Sequence, residues 1–259
     1  MQILLLFPCD ESTGFKITPE MLEEKITSKT KAVIINSPNN PTGAVYSYEE
    51  LRSLGETLSK SDIYIVTDEI YDRLIYDEKH YSINAICPEL NSRTILVNGH
   101  SKVFAMTGWR LGYIAAPTLI AKSLTTLQSH SAGNACTIAQ EAGIEAFSSF
   151  PNYMLEEFNE RRQILISGLK KIPGIYCSMP GGAFYAFPNI SELLQKSYHG
   201  ELIGNVERFC ELLLEEQLLS TIPGSAFSSS SNLRMSYALS REEIYKALHR
   251  LEEFVTKLN

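Results

Sequence analysis

The sequence predicts an α/β protein in which a mostly parallel sheet is flanked by helices, followed by a smaller α+β domain. Three observations lead to this fold class. Short apolar runs recur in the first half of the chain, a helical pattern lies between the first two runs, and the pattern changes after a long amphipathic segment. Short buried strands joined by helices are typical of a parallel, doubly wound sheet.

Each predicted strand of the larger domain is a short run rich in β-branched residues. The runs are residues 32–35, 63–66 and 94–97. They lack alternation of polar and apolar positions, which is expected of strands covered on both faces. Residues 1–7 are also apolar, and we interpret them as a buried strand rather than a signal peptide, because they lack a basic segment and a small-residue cleavage site.

Two helices can be placed from the sequence in this part of the chain. Ser47 and Glu50 have the spacing of a capping box and predict a helix that continues through Leu54 and Leu58. Residues 151–171 predict a long amphipathic connector. Its apolar stripe contains Met154, Phe158, Leu165 and Leu169, and its charged residues Glu156, Glu157, Arg161 and Arg162 are expected to face elsewhere.

After the connector the pattern becomes that of an α+β domain. Residues 182–187 and 233–238 predict strands, and a helix through Phe209 and Leu213 lies between them. A final helix begins after Ser240, with Glu243 completing a capping box. Its expected buried face consists of Ile244, Ala247, Leu248, Leu251 and Phe254. We place the domain boundary in the connector, with domains at residues 1–155 and 156–259.

The composition excludes several functional classes. A chain of 259 residues with 44% hydrophobic content can bury a large core, and a net charge of -7 without a basic run gives no basis for binding nucleic acid. Five widely spaced cysteines without a C-x-x-C pair favour free thiols and no metal site. No apolar run approaches the roughly 20 residues of a membrane-spanning helix. We therefore expect a cytoplasmic protein without membrane partners.

Polar residues follow each of the three predicted strands. Asn40 lies in the segment 36–43 after the first run, Asp68 and Tyr71 follow the second, and Ser101 and Lys102 follow the third. Ligands of open parallel sheets bind beyond the carboxyl ends of the strands. An amide, a carboxylate, a phenol and an amine would therefore lie along one edge of the sheet.

Each of these residues also has a purely structural interpretation. Asn40 lies in a turn-forming sequence, Asp68 could cap a helix, Tyr71 could be a core aromatic, and Lys102 could be solvated. Ser101 and Lys102 do not form a phosphate-binding P-loop, because the G-x-x-x-x-G-K-[ST] spacing is absent. Their joint position after three strands is what favours a functional site.

A longer string around Lys102 is specific. Residues 99–113, G-H-S-K-V-F-A-M-T-G-W-R-L-G-Y, closely resemble the cofactor-lysine signature of class I/II aminotransferases, the fold type I family of pyridoxal-phosphate enzymes. N-x-P-x-N-P-T-G, D-E-I-Y, G-A-F-Y and L-R-M-S-Y accompany it in the family's order, beginning at Asn36, Asp68, Gly182 and Leu233. The resemblance covers nearly the whole chain and is strongest to prokaryotic-type aspartate and aromatic aminotransferases.

The resemblance implies pyridoxal 5'-phosphate as the cofactor. Lys102 would bind its aldehyde covalently and later move the Cα proton of the substrate, which requires a neutral amine. Asp68 would pair with the pyridine nitrogen and keep it protonated. Tyr71 and Asn40 would donate hydrogen bonds to the phenolic oxygen of the ring.

The resemblance also implies two anion-binding positions. Arg110 would bind the cofactor phosphate, since its planar guanidinium donates two parallel hydrogen bonds, and Ser101 would add a hydroxyl. Arg234 would bind the substrate α-carboxylate, and Asn40 is a second substrate-binding candidate. Without the resemblance, Arg234 would be interpreted as a solvated arginine on a strand.

The chain departs from the family pattern in three respects. His100 stands where the family usually has an apolar or small residue, and Gly99 where many members have a serine or threonine that contacts phosphate. About the first third of a typical member also has no counterpart. If the polypeptide begins at Met1, we expect a pocket open on one side, weakened cofactor binding and an uncovered apolar face.

The resemblance predicts an aminotransferase that moves an amino group between an amino acid, aspartate or aromatic, and a 2-oxo acid. Two alternatives remain open. A pyridoxal-phosphate-dependent C-S lyase would keep the fold and cofactor, and a truncated inactive remnant would explain the missing first third. Family members are generally homodimers with sites at the interface, and residues 129–136 are the candidate segment that one subunit contributes to its partner.

Overall fold

A computed structural model describes residues 4–7 and 9–259. The chain divides into two compact units, which are described separately. The first contains the described residues up to Asn39 together with Ala44–Asn152, and the second contains Asn40–Gly43 and Tyr153–Asn259. The short segment Asn40–Gly43 thus belongs to the second unit, although it interrupts the sequence of the first. The division into domains at residue 155 stays a prediction.

The first unit contains a four-stranded mixed sheet in the order β1-β2-β3-β4. Strands β1 (Ala32–Asn36), β2 (Tyr64–Asp68) and β3 (Thr94–Gly99) are parallel, and β4 (Gly112–Ala115) is antiparallel to β3. The predicted mostly parallel sheet is therefore confirmed, with one antiparallel edge strand added. Because the strands are in register, the carboxyl ends of β1, β2 and β3 lie at the same edge.

Helices pack on one face of this sheet. The core there combines Val33, Ile35 and Ile65 from the strands with Leu22 and Leu54 from helices. The predicted capping box is present, since Ser47 Oγ accepts from the N–H of Glu50 at 3.2 Å and Glu50 Oε2 accepts from the N–H of Ser47 at 2.7 Å. The helices of this unit are α1 (Pro19–Lys25), α2 (Tyr48–Leu58), α3 (Ile83–Ile86), α4 (Thr118–Ser129) and α5 (Thr137–Ser148).

Much of the opposite surface of this unit is apolar and exposed. Ile34 on β1 is 60% exposed, whereas its neighbours Val33 and Ile35 are buried. The expectation of strands covered on both faces is therefore wrong for β1, because the helices that bury its alternate residues pack on one side only. Helix α4 buries none of its residues, and Leu119 on it is 81% exposed. Apolar side chains of β1 and α4 are thus exposed in this unit.

The predicted N-terminal strand lies partly outside the described residues, which do not include Met1, Gln2, Ile3 or Pro8. Residues 4–7 form no strand, and Leu4, Leu5 and Leu6 are exposed. For these four residues the prediction is wrong, because β1 pairs with β2 alone among the described strands. Of these four apolar residues, Phe7 packs against the hydrophobic core.

The second unit is an α+β structure, as predicted. It has a three-stranded antiparallel sheet in the order β5-β9-β8 and a separate β6–β7 pair. Its strands are β5 (Tyr185–Ala186), β6 (Ser197–Tyr198), β7 (Glu201–Leu202), β8 (Ile222–Pro223) and β9 (Leu233–Ser236). Its helices are α6 (Asn152–Leu169), whose first residue belongs to the first unit, α7 (Val206–Gln217) and α8 (Arg241–Thr256).

Two helix predictions in this unit need correction. Arg162 was expected to face away from the apolar stripe of α6, but it is fully buried, and it donates from Nη1 to the carbonyl of Pro180 at 2.8 Å and from Nε to Asn159 Oδ1 at 3.1 Å. Ser240 accepts from the N–H of Glu243 as predicted, but the Glu243 carboxylate bonds Lys246 Nζ at 2.9 Å. Only half of that capping box forms.

Candidate active site

Asp68 is the last residue of β2, at the carboxyl edge of the sheet. Its Oδ1 accepts a hydrogen bond from the N–H of Ile70 at 3.2 Å. Partial burial raises the pKa of its carboxyl, and the negative charge of Glu69 raises it further. Residues 70–73 form a turn, so Asp68 does not cap a helix. A carboxylate that has lost part of its hydration gains from a cationic partner.

Glu69 forms a buried polar network that sequence reasoning missed. Its Oε1 accepts from Thr67 Oγ1 at 2.9 Å and from Ser82 Oγ at 2.7 Å, and its Oε2 lies 2.8 Å from His80 Nε2. The residue is only 4% exposed. Its backbone N–H donates to the carbonyl of Val97 on β3. The network therefore holds the chain in place directly after Asp68.

The turn after β2 is tied to the end of β3. Asn98 Nδ2 donates to Asp72 Oδ2 at 3.0 Å, and Asn98 Oδ1 accepts from the N–H of Gly99 at 2.7 Å. Tyr71 lies in this turn and is buried, and its carbonyl accepts from the N–H of Leu74. Tyr71 therefore lies three residues after Asp68, in the turn that follows the same strand.

Lys102 and Ser101 lie in the turn that follows β3, and both are half-buried. The carbonyl of Lys102 accepts from the N–H of Ala105, a residue with the left-handed φ of 53°. Since β2 and β3 are adjacent and parallel, these two residues lie beyond the strand end that neighbours the one carrying Asp68. The structure thus places four predicted residues of the first unit at or just beyond two neighbouring strand ends.

Arg110 lies two residues before the start of β4 and is exposed. Its backbone has a left-handed φ of 53°, and its Nη1 donates to the carbonyl of Thr107 at 2.9 Å. This internal bond holds the guanidinium back against its own turn, with the rest of the side chain facing solvent.

Asn40 and Arg234 lie together in the second unit. Arg234 Nη1 donates to Asn40 Oδ1 at 2.8 Å. The guanidinium carbon lies 4.7 Å from the ring centroid of Tyr185 and 5.0 Å from that of Phe227. Cations are attracted to the faces of aromatic rings, so the two rings hold the guanidinium. The interpretation of Arg234 as a simple solvated strand residue is therefore wrong.

Sequence reasoning missed both aromatic contacts of Arg234. Tyr185 belongs to the G-A-F-Y motif, and β5 pairs with β9, so the motif carried a usable signal. Phe227 lies in a short 3-10 helix before the serine run, and no sequence motif marked it as a contact of Arg234.

No group of three or more metal-ligating side chains is found among residues 4–7 and 9–259. In the same part of the chain, none of the helices has the length and apolar composition needed to span a bilayer.

Comparison with known proteins identifies the family. The model of the family described as aminotransferase class I and II matches residues 3–251. The chain is 44% identical to the aspartate aminotransferase of Bacillus subtilis over 252 residues, and 42% identical to the aspartate/prephenate aminotransferase of Cereibacter sphaeroides over 253 residues. Each alignment covers 95% of this chain and 63% of the relative.

Solved structures have the same fold. The aspartate aminotransferase of Rhizobium meliloti superposes with a TM-score of 0.94 at 37% identity, covering 98% of this chain and 65% of that one. The aromatic aminotransferase of Pyrococcus horikoshii superposes with a TM-score of 0.88 at 35% identity, covering 96% and 66%. These neighbours have the fold type I architecture, as predicted. The chain spans less than two thirds of the length of the curated relatives it matches, and it belongs to the class I and II aminotransferase family.

Proposed function

We propose that the chain acts as a pyridoxal-phosphate-dependent aminotransferase that moves an amino group between an amino acid and a 2-oxo acid. The observation that carries this proposal is the position of Lys102 and Asp68. One lies just beyond the end of β3 and the other ends the adjacent parallel strand β2. Family membership supplies the reaction class, and these two residues supply the groups that the reaction needs.

The residues of the first unit fit pyridoxal 5'-phosphate. Partial burial raises the pKa of Asp68, and the charged side chain that shifts it further is the anion Glu69. A protonated ring nitrogen would supply the missing cation. When bound, the cofactor supplies an aldehyde that reacts with an amine and a ring that accepts electrons released at the substrate Cα. Lys102 would hold the cofactor covalently, and its amine would then take and return the Cα proton.

The other predicted residues would orient the bound molecules. Tyr71 and Asn40 would donate hydrogen bonds to the phenolic oxygen of the ring. Ser101 and Arg110 would bind the phosphate, because a hydroxyl and a guanidinium both donate hydrogen bonds to phosphate oxygens. Arg234 would bind the substrate carboxylate, because the bond to Asn40 and the contacts with Tyr185 and Phe227 already fix its orientation.

The proposed donor is aspartate or an aromatic amino acid. The relatives are named aspartate and aspartate/prephenate aminotransferases, and one structural neighbour is named an aromatic aminotransferase. These names favour transamination over a C-S lyase reaction. The retained site residues favour an active protein over an inactive remnant. We also keep the domain division at residue 155 as part of this proposal.

We further propose a cytoplasmic homodimer to which each subunit contributes residues 129–136. Ser129 is the last residue of α4, and residues 130–136 connect α4 to α5. Exposed apolar side chains flank the segment on both sides, for example Leu127 and Ile138. Exposed apolar surface of this kind is typical of protein–protein contacts. Light scattering of the purified chain tests the dimer, and a monomer at all concentrations would contradict it.

A half-reaction tests the proposed activity. The purified full chain is loaded with pyridoxal 5'-phosphate, mixed with aspartate or phenylalanine, and the 2-oxo acid and ammonia released are both measured. We expect one 2-oxo acid per loaded site with no ammonia, and no product from Lys102→Ala. Release of thiol, ammonia and 2-oxo acid in equal amounts from an S-alkylcysteine, tested in parallel, would indicate a C-S lyase. An absence of product with both aspartate and phenylalanine would contradict the aminotransferase proposal.

A further inference from the structure

His100, two residues before Lys102, is buried and held by an unusual set of contacts. Its Nε2 lies 3.1 Å from the carbonyl oxygen of Gly143 on α5. A carbonyl oxygen only accepts hydrogen bonds, so the bonded hydrogen must be on Nε2. The other ring nitrogen, Nδ1, is buried and has no hydrogen-bond partner within the described part of the chain. The ring is thus fixed by one directed bond.

Aromatic rings surround His100 on its remaining sides. The Phe104 ring is stacked on it with a centroid distance of 5.3 Å, and the Phe147 and Tyr113 rings meet it edge-on at 4.9 and 5.8 Å. Such arrangements of rings are favourable beyond their buried area. The side chain therefore has one packed position, in which Nε2 faces α5.

Gly143 is the residue that makes this contact possible. A Cβ atom built there would lie 2.4 Å from Leu111 Cδ2 and 3.1 Å from His100 Nε2. Glycine inside a helix costs about 1 kcal/mol relative to alanine, so its presence in the middle of α5 has a packing reason. The backbone of α5 can approach the histidine only because this side chain is missing.

Both backbone hydrogen-bonding groups of His100 also have partners. Its N–H donates to the carbonyl of Leu111 at 3.1 Å, and its carbonyl accepts from the N–H of Phe104 at 3.2 Å. The second bond closes the turn that contains Ser101 and Lys102. Three hydrogen bonds, one from the side chain and two from the backbone, therefore fix His100 at the start of the turn that contains Lys102.

We propose that His100 is a positioning residue for Lys102. The bond from Nε2 to the Gly143 carbonyl joins the start of the lysine turn to α5, and the aromatic rings keep the donor aimed at that carbonyl. The inference rests on the proposed function of Lys102. It assigns a role to a histidine that has no part in the proposed chemistry itself.

Two matched substitutions separate the donor from the ring. His100→Phe keeps an aromatic ring in the cluster but has no N–H, whereas His100→Gln loses the ring and can place an amide N–H where Nε2 lies. His249→Phe, at an exposed position on α8, is the control. If His100→Phe fails to fold, His100→Asn replaces it, because its amide is too short to reach Gly143.

The first measurement is amide hydrogen exchange in the full chain without cofactor. In His100→Phe, we expect the amides of Phe104 and Ala105 to exchange about 10-fold faster, which corresponds to losing one hydrogen bond. Amides of β1 and α2 should be unchanged, and His100→Gln should stay within about threefold of the unsubstituted chain. Equal exchange in both variants and the unsubstituted chain would overturn the proposal.

The second measurement uses the loaded protein and compares kcat with KM. We expect His100→Phe to lower kcat about 10-fold at unchanged KM for the amino acid, with recovery in His100→Gln, because Lys102 is misplaced while carboxylate binding is not. Equal losses in Phe and Gln variants would overturn a role for the donor. If the unsubstituted chain attaches no cofactor to Lys102, the proposed function fails, and the exchange measurement still decides whether His100 anchors the turn.

Discussion

Arg234 donates a hydrogen bond from Nη1 to Asn40 Oδ1 at 2.8 Å, joining two residues that are 194 positions apart in the sequence. The rings of Tyr185 and Phe227 hold the same guanidinium. The side chain therefore has its orientation before any ligand binds. Such preorganisation reduces the entropy lost when a carboxylate binds.

Replacement of Arg234 by lysine tests its proposed role in substrate binding. Lysine keeps the charge but not the planar fork that can bond Asn40 and a carboxylate together. We expect kcat/KM for the amino acid to fall about 100-fold, mainly through a higher KM. Arg208→Lys on α7 serves as the control, since this side chain is 40% exposed and pairs with Glu211, and it should change neither constant. An unchanged KM in Arg234→Lys would contradict the assignment.

Asp68→Asn should stabilise the protein without cofactor while abolishing its activity. Burial raises the pKa of Asp68 above the ordinary value of 3.8, so the folded state binds its proton more tightly than the unfolded state. The stability that this provides is present at low pH and is lost as the pH rises through the raised pKa. Asparagine has no charge to bury, so Asp68→Asn does not lose this stability as the pH rises.

The measurement is the melting temperature of Asp68→Asn and of the unsubstituted protein between pH 4 and about 8. We expect the variant to melt higher at neutral pH and the difference to shrink as the pH falls toward 3.8. Asp62→Asn, at an exposed position, is the control. A difference that grows on acidification would have the wrong sign for a raised pKa.

Glu69→Ala should destabilise the first unit. It would leave the Thr67 and Ser82 hydroxyls and the His80 ring without their shared acceptor. We expect a loss of about 2 to 4 kcal/mol in the free energy of unfolding. Urea unfolding followed by the fluorescence of Trp109, which lies in the same unit, gives this value. Glu78→Ala, at an exposed position in the same segment between β2 and α3, is the control. It should change the free energy of unfolding by under about 0.5 kcal/mol.

Gly43→Ala should destabilise the second unit more than Gly204→Ala. Both glycines have left-handed backbones, with φ of 69° and 75°. A Cβ at Gly43 would lie 2.4 Å from Pro180 Cβ, whereas one at Gly204 would meet nothing within 4 Å. We expect a loss of about 1 kcal/mol at Gly204, from backbone strain alone, and roughly 3 kcal/mol at Gly43. Equal losses, measured by circular dichroism in urea, would show that the close approach to Pro180 is not restrictive.

Local patterns predicted much of the fold. The three parallel strands and the helix capped by Ser47 and Glu50 follow from hydrophobic runs and from a side chain that bonds its own backbone nearby. Such interactions depend on neighbouring residues, so they can be recognised without knowing the fold. The position of Asp68 and Lys102 at neighbouring strand ends followed from the parallel sheet alone.

Burial of charged residues could not be predicted in the same way. Arg162 and Glu69 are both almost fully buried, and their partners, Pro180, His80 and Ser82, come from segments that the sequence does not mark. A charged residue has the same local pattern whether it faces solvent or a buried partner. The exposure of Ile34 was missed for a related reason. An apolar run shows that a strand could be covered on both faces, but it does not show whether helices cover both of them.

Labelling of Lys102 tests the central claim most directly. The full chain is incubated with pyridoxal 5'-phosphate, reduced with borohydride, digested and analysed by mass spectrometry. The account predicts that the cofactor is attached to the peptide containing Lys102 at one equivalent per chain, and that Lys102→Ala loses this label while Lys122→Ala, on the exposed helix α4, keeps it. Equal labelling of Lys102→Ala and the unsubstituted chain, or labelling spread over surface lysines with none on Lys102, would contradict it.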